Sequence, residues 1–163
     1  MADPTPVSDS YIDTTEEADA LAAKRPNIAA WTGDGKAAAL QEATRRIDAM
    51  PLRGRKYDTT ITAGVPDQLL EFPRVIDGVT LDYNSTAGEA IIPTAVKWAC
   101  LEEAIAILAT GTGGRRELQQ QGVKSFSIGG KLSETFIDGA GGQGLQSVTA
   151  RKLMRRYVGA EIR

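Results

Sequence analysis

Five features of this sequence carry residue types that could do chemistry. Two are glycine runs, Gly111-Thr-Gly-Gly114 and Gly139-Ala-Gly-Gly-Gln-Gly144, whose backbone amides could cradle a phosphate. Neither has the Gly-Lys-Ser/Thr ending of a P-loop, and neither follows a strand and opens a helix in a Rossmann arrangement, so both read as hinges. The third is the pair Glu102-Glu103. Adjacent residues point about 100° apart on a helix, so the two carboxylates cannot clamp one metal ion and read as the polar edge of a core helix. The fourth is Cys100, the single cysteine, which lies in an apolar run and reads as a small buried hydrophobe rather than a reactive thiol. The fifth is the set Arg151, Lys152, Arg155 and Arg156 near the C-terminal end. A cationic amphipathic helix can meet a membrane, a partner groove or phosphates. With Tyr157 its only aromatic residue and no tryptophan, the membrane reading is the weakest.

Composition closes most other routes to catalysis. There is no histidine, which excludes Ser-His-Asp and Cys-His catalysis, histidine metal ligands and a histidine pH switch. One cysteine excludes an internal disulfide and a Cys-rich zinc site. No catalytic, cofactor-binding or metal-binding set is left, so the expectation is a protein that is not an enzyme and needs no cofactor. A length of 163 residues, 42% of them hydrophobic and 25% charged, suits one domain that buries its own core without staples. No apolar run is long enough to cross a bilayer, and Met1 to Ser10 lack the basic start and apolar stretch of a signal peptide. A soluble protein made in a reducing cytoplasm, away from membranes, is expected.

Charge is nearly balanced at −2 but unevenly placed. Residues 1–23 hold Asp3, Asp9, Asp13, Glu16, Glu17 and Asp19 and no cation; residues 140–163 hold Arg151, Lys152, Arg155, Arg156 and Arg163 against Glu161 alone. These are two solvated faces, or else a head-to-tail contact between copies, or a basic tail for an acidic partner.

The elements that would position these groups are mainly helical. Residues 1–9, with Pro4 and Pro6, read as a disordered arm. A helix starts near Asp13 or Thr14 with Glu16 or Glu17 completing a capping box, and stops by Pro26. Trp31 reads as a core residue in a connector. A second helix spans about 34–49, with Leu40, Ala43, Ile47 and Met50 on one face. Residues 51–92 are broken by prolines and glycines into a long insert. In it Gln68 to Phe72 suits a short turn, and Val79, Leu81 and Tyr83 suit a short strand. A third helix, 93–110, is apolar nearly all round, as the central helix of a bundle is, with Trp98 and Leu101 expected inside. A short helical stretch, 115–121, precedes a hairpin at 123–136. A three-residue loop sets Ile128 opposite Leu132, Phe126 opposite Glu134 and Lys124 opposite Phe136, which gathers Phe126, Ile128, Leu132 and Phe136 on one face. An isolated hairpin is marginal, so that face needs cover from a sheet, the bundle or another subunit. A glycine-rich hinge, 139–146, leads to a last helix, about 147–158, with Ala150, Leu153, Met154 and Tyr157 on its apolar side. The expectation is a mainly α fold: a helical bundle over 10–138 with a β-hairpin insert, and a C-terminal helical arm, 147–163, beyond the hinge.

The order of residues also resembles a bacteriophage family. The resemblance rests on Tyr11-Ile-Asp-Thr-Thr-Glu-Glu-Ala-Asp19, Trp31, Lys36-Ala-Ala-Ala-Leu-Gln-Glu-Ala-Thr-Arg-Arg-Ile-Asp48, Gly54-Arg-Lys56, Asp67-Gln-Leu-Leu-Glu-Phe-Pro-Arg74, and Ile92-Pro93 with the Ala-rich helix that follows. Over about residues 10–136 these are similar to head–tail connector (adaptor, or head-completion) proteins of long-tailed phages, some of whose relatives are labelled DnaT-like single-stranded DNA-binding proteins. The basic end helix is not part of the pattern.

The resemblance implies a virion neck protein made in the host cytoplasm. It would form a dodecameric ring beneath the portal, joining capsid to tail and passing DNA without sequence-specific binding, with the portal and a tail-side neck or tail terminator protein as neighbours. On that reading Arg151, Arg155 and Arg156 form the polar rim of a portal-docking arm, with Tyr157, Leu153 and Met154 in an apolar groove. Phe126, Ile128, Leu132 and Phe136 would face a neighbouring subunit. Arg74 would make a subunit-interface salt bridge, whereas Leu69, Leu70 and Phe72 suit a cap on the bundle. The rival readings are a tail-side completion protein and a single-stranded DNA-binding accessory protein. The latter needs cations interleaved with aromatics, and Arg45, Arg46, Arg53, Arg55 and Lys56 have only Tyr57 to stack on.

Overall fold

Local chemistry starts the first helix where the sequence predicts. Thr14 is its N-cap: the Thr14 hydroxyl accepts from the Glu17 amide at 3.1 Å, while the Glu17 carboxylate reaches back to the Asp13 amide at 3.2 Å. The computed structural model describes residues 9–26, 28–62, 65–66, 68–80, 83–84, 89–110, 125–128, 132–135 and 144–159. Among them are four α-helices: α1 (Thr15–Ala22), α2 (Lys36–Asp48), α3 (Thr94–Thr110) and α4 (Val148–Met154). The chain divides into two units, residues 1–109 with 145–163, and residues 110–144.

The first unit is built around α3. Val96, Ala99, Cys100, Leu101 and Ala104 of this helix are buried; Trp98, expected inside, is half-buried against the same core. Pro93 caps α3 rather than entering it, its carbonyl accepting from the Val96 amide at 2.8 Å. The α2 stripe Leu40, Ala43 and Ile47 is buried as its spacing predicts, with Met50 packed on the margin. Trp31 is buried, and its indole N–H donates to Asp19 at 2.6 Å.

The insert after α2 forms strands too short to show a periodicity. β1 (Arg55–Lys56), β4 (Arg74–Ile76) and β5 (Val79–Thr80) make a three-stranded antiparallel sheet in the order β1-β4-β5. β2 (Ile61–Thr62) pairs with β3 (Val65–Pro66), and β6 (Tyr83–Asn84) with β7 (Glu89–Ala90). The fold is therefore mixed α and β rather than mainly α. Gly54 is required where the chain enters β1: its φ is +74°, and a Cβ there would sit 2.1 Å from the Val75 carbonyl oxygen.

The C-terminal helix is where expectation and structure part. Residues 145–163 belong to the same unit as 1–109. Ala150, Met154 and Tyr157 are buried in the core, with Leu153 packed on its edge. Leu145, inside the expected hinge, is buried as well. Backbone bonds lock the segment in place: Arg53 N–H to the Tyr157 carbonyl at 2.8 Å and Gly159 N–H to the Pro51 carbonyl at 2.7 Å, around a bridge between Leu52 and Val158. Ala150 and Met154 of α4, and Tyr157 beyond it, are thus covered by the chain's own core, where the portal-docking reading set Met154, Leu153 and Tyr157 against a partner's groove.

In the second unit, β8 (Ser125–Ile128) and β9 (Leu132–Thr135) form the expected hairpin. The register pairs Ile128 with Leu132 and Phe126 with Glu134, leaving three residues between Ile128 and Leu132. Lys124, Phe136, the helical stretch 115–121, the run 139–143 and the arm 1–8 lie outside the described residues.

Candidate functional site

Phe72 sits between two tyrosines and joins distant parts of the sequence. Its ring packs edge-on against Tyr11, centroids 5.7 Å apart, and against Tyr157 at 5.2 Å. A cis peptide bond links Phe72 to Pro73. Beside it Arg74, only 5% exposed, donates to the Arg53 carbonyl and the Gly54 carbonyl, each at 2.8 Å, and pairs with the Glu71 carboxylate. The segment expected to cap the bundle or reach a neighbour therefore fastens β4 to β1. Arg74 is an internal clamp, its guanidinium engaged within its own subunit, where the resemblance implied a salt bridge to a neighbouring one. Phe72 is buried and Leu70 packs on the core, but Leu69 stands 64% exposed.

Polar groups in the core are satisfied in pairs. Glu103, fully buried, accepts from Arg46 at 2.9 Å and from the Ser147 amide at 2.8 Å, tying α2, α3 and the start of α4. Glu102 pairs with Arg25 at 2.6 Å; burial pushes its carboxyl above the usual range and Arg25 opposes that. The two glutamates thus serve different arginines, and no cluster of potential metal ligands occurs among the described residues. Asp48 accepts from the Tyr11 hydroxyl, and burial raises its carboxyl despite that bond. Tyr11 is raised too, by burial and then by the Asp48 charge. The Cys100 thiol contacts the Thr44 hydroxyl at 3.4 Å, and burial pushes it up to about 11, which leaves it unreactive near neutrality.

Two surface regions of the first unit are not used up in this way. One is an open groove of about 360 Å³ lined by Asp9, Ser10, Asp13, Gln68, Leu69, Leu70 and Phe72. Asp9 and Asp13 are exposed at its rim beside the exposed Leu69. The other is the outer stripe of α4. Val148, Arg151, Lys152 and Arg155 recur at helical spacing; Val148 is 56% exposed and the three cations are exposed, with no ion pair among the described residues. Arg156 is exposed as well, but its guanidinium lies 4.6 Å from the Tyr157 ring centre. Sequence reading identified the cations; the groove was missed, although the acidic run at 1–23 was its signal.

The second set of cations is largely neutralised. Arg46 pairs with Glu42 and Glu103, Arg45 with Glu42, Arg53 with Asp77, and Lys56 with Glu71. Tyr57 beside them is 38% exposed. Phe126, Ile128 and Leu132 are placed by the hairpin register alone.

A family model described as "Putative DnaT-like ssDNA binding protein" matches residues 2–162, and the chain belongs to that family. No curated protein and no solved structure matches it.

Proposed function

We propose that this member of the DnaT-like family is a structural head–tail connector of a tailed-phage virion, forming a ring under the portal that extends the DNA channel and joins the capsid to the tail. The observation that carries the reading is where the aromatic side chains lie. Tyr11, Trp31, Phe72 and Tyr157 are all within 5% of complete burial, Trp98 is half-buried, and Tyr57 is 38% exposed. A single-strand binder stacks bases on open aromatic faces along a basic groove. Here Tyr11, Trp31, Phe72 and Tyr157 hold the protein together, and the described surface offers segregated charge, which suits contacts between folded proteins. The motifs that resemble the connector family support the reading from the inside: Tyr11, Trp31, Phe72 and Arg74 are core or clamp residues.

In such a connector the exposed cations Arg151, Arg155 and Arg156 are available to a protein partner, whereas Met154 and Tyr157 are not. Phage lacking the protein should accumulate filled heads and free tails that do not join, and the protein should label at the neck of intact virions. Infectious virions free of the protein would sink the reading.

The family's description favours a second reading, a single-stranded DNA-binding accessory protein. Filter binding across a salt series tests it, because contact with several phosphates gives a steep salt slope.

A further inference from the structure

The groove and the α4 stripe share no residue, and each presents what the other lacks. The groove has two carboxylates, Asp9 and Asp13, at its rim, neither with an ion-pair partner among the described residues, around the apolar Leu69 and Leu70. The stripe has an apolar Val148 followed by Arg151, Lys152 and Arg155 at one-turn spacing. Leu69 and Val148 are among the most exposed large apolar side chains of the described residues. Each therefore gains by being covered, while the flanking charges select the partner by sign and set the register.

We propose that these two surfaces bind each other between copies: the Val148/Arg151/Lys152/Arg155 stripe of one molecule seats on the Asp9/Asp13/Leu69 groove of the next. Such a contact joins two different patches, so it does not stop at a dimer. It propagates head to tail and closes into a ring if the rotation per step allows. A segment of another protein is the less economical occupant, because the complementary pattern is present on this chain. The proposal deepens the connector reading and rests on it for its setting, but the contact itself is a property of the isolated protein.

Charge reversal tests it. The full-length variants Asp9→Arg/Asp13→Arg and Arg151→Glu/Arg155→Glu change exposed side chains, so circular dichroism should match wild type. Sedimentation should show wild type assembling, more weakly as salt rises. Each variant alone should associate at least about tenfold more weakly, since like charges would then face each other. An equimolar mixture of the two variants should reassemble, because a basic groove then meets an acidic stripe and the reverse. The proposal is overturned if wild type stays monomeric at every concentration and salt, if either variant assembles like wild type, or if the mixture fails to recover. It is also overturned if the stripe reversal spares self-assembly and instead abolishes binding to purified portal or to a DNA oligonucleotide. Assembly through this contact by a protein absent from virions would remove the connector reading and keep the contact. A virion neck protein whose assembly ignores both reversals would do the opposite.

Discussion

At the scale of single residues, the groups that look most able to do chemistry are spent on holding the chain together. Arg74 is the clearest case. Its guanidinium meets two carbonyls at 2.8 Å and one carboxylate from a nearly closed position. A lysine cannot reproduce that fork, and an apolar side chain leaves the carbonyls unpaired. Arg74→Met should therefore cost about 3–5 kcal/mol in a urea midpoint, and Arg74→Lys should recover only part of it. Wild-type stability in Arg74→Met, with assembly lost, would return Arg74 to the subunit interface.

Asp48 makes a pH prediction at the same scale. Burial raises its carboxyl in the folded state, so the fold binds a proton more readily than the unfolded chain does. Stability from this site then increases as pH falls from neutral toward the ordinary carboxylate range, and is lost as pH rises through the raised value. Asp19 has the opposite sign: burial acts upward, but hydrogen bonds from Lys36 and Trp31 outweigh it and hold the carboxyl low, so its contribution is lost on acidification. Comparing urea midpoints at pH 7 and pH 3, Asp48→Asn should lose part of the acid-side gain and Asp19→Asn part of the acid-side loss. Equal pH slopes in wild type and Asp48→Asn would contradict the assignment.

At the scale of elements, α4 decides between an arm and a core helix. Met154 and Tyr157 are buried, and the segment is bonded through Arg53 and Pro51 to the chain entering the sheet. Met154→Ala should cost about 2–5 kcal/mol, as should Leu101→Ala on α3. Removing residues 145–163 should abolish the cooperative unfolding transition. A truncated protein with a wild-type melting curve would restore the arm. The sequence made the apolar side of α4 legible, because period 3.6 marks a face whatever covers it. It could not show what lies opposite that face, and a glycine run before a helix says nothing about where the helix returns. The hairpin register was legible because Ile128 and Leu132 leave room for one loop length that keeps the apolar positions together. The sheet was not, since strands of two or three residues carry no alternation to read. The clamp at Arg74 and the full burial of Glu103, read as part of a polar helix edge, were not legible for a related reason. A buried charge is recognised by partners such as Gly54 and Ser147, which only the tertiary structure brings near.

At the scale of the whole molecule, the question is whether the surface is built for protein or for nucleic acid, and the two make different demands on the same cations. Four exposed cations, Arg151, Lys152, Arg155 and Arg156, lie on α4 and just beyond it, while the molecule as a whole carries −2 and has Asp9 and Asp13 open on its groove. If a single strand met only those four, the logarithm of affinity would fall against the logarithm of salt with a slope of about −3, at about 0.7 per neutralised phosphate. Asp9 and Asp13 on the groove repel a strand that reaches them, and Tyr11, Trp31, Phe72 and Tyr157 are buried and so cannot extend the contact by stacking. Filter binding of an oligonucleotide should therefore disappear by physiological salt, with Tyr57→Ala making no difference to what remains at low salt. Retention at physiological salt with a slope well beyond −3, together with loss of binding in Tyr57→Ala, would mean that the cations near β1 and Tyr57 form a strand-binding path. In that case Arg53 and Lys56 must release Asp77 and Glu71 to reach phosphates, so Asp77→Asn would strengthen binding. In a connector the same substitution leaves oligonucleotide retention unchanged.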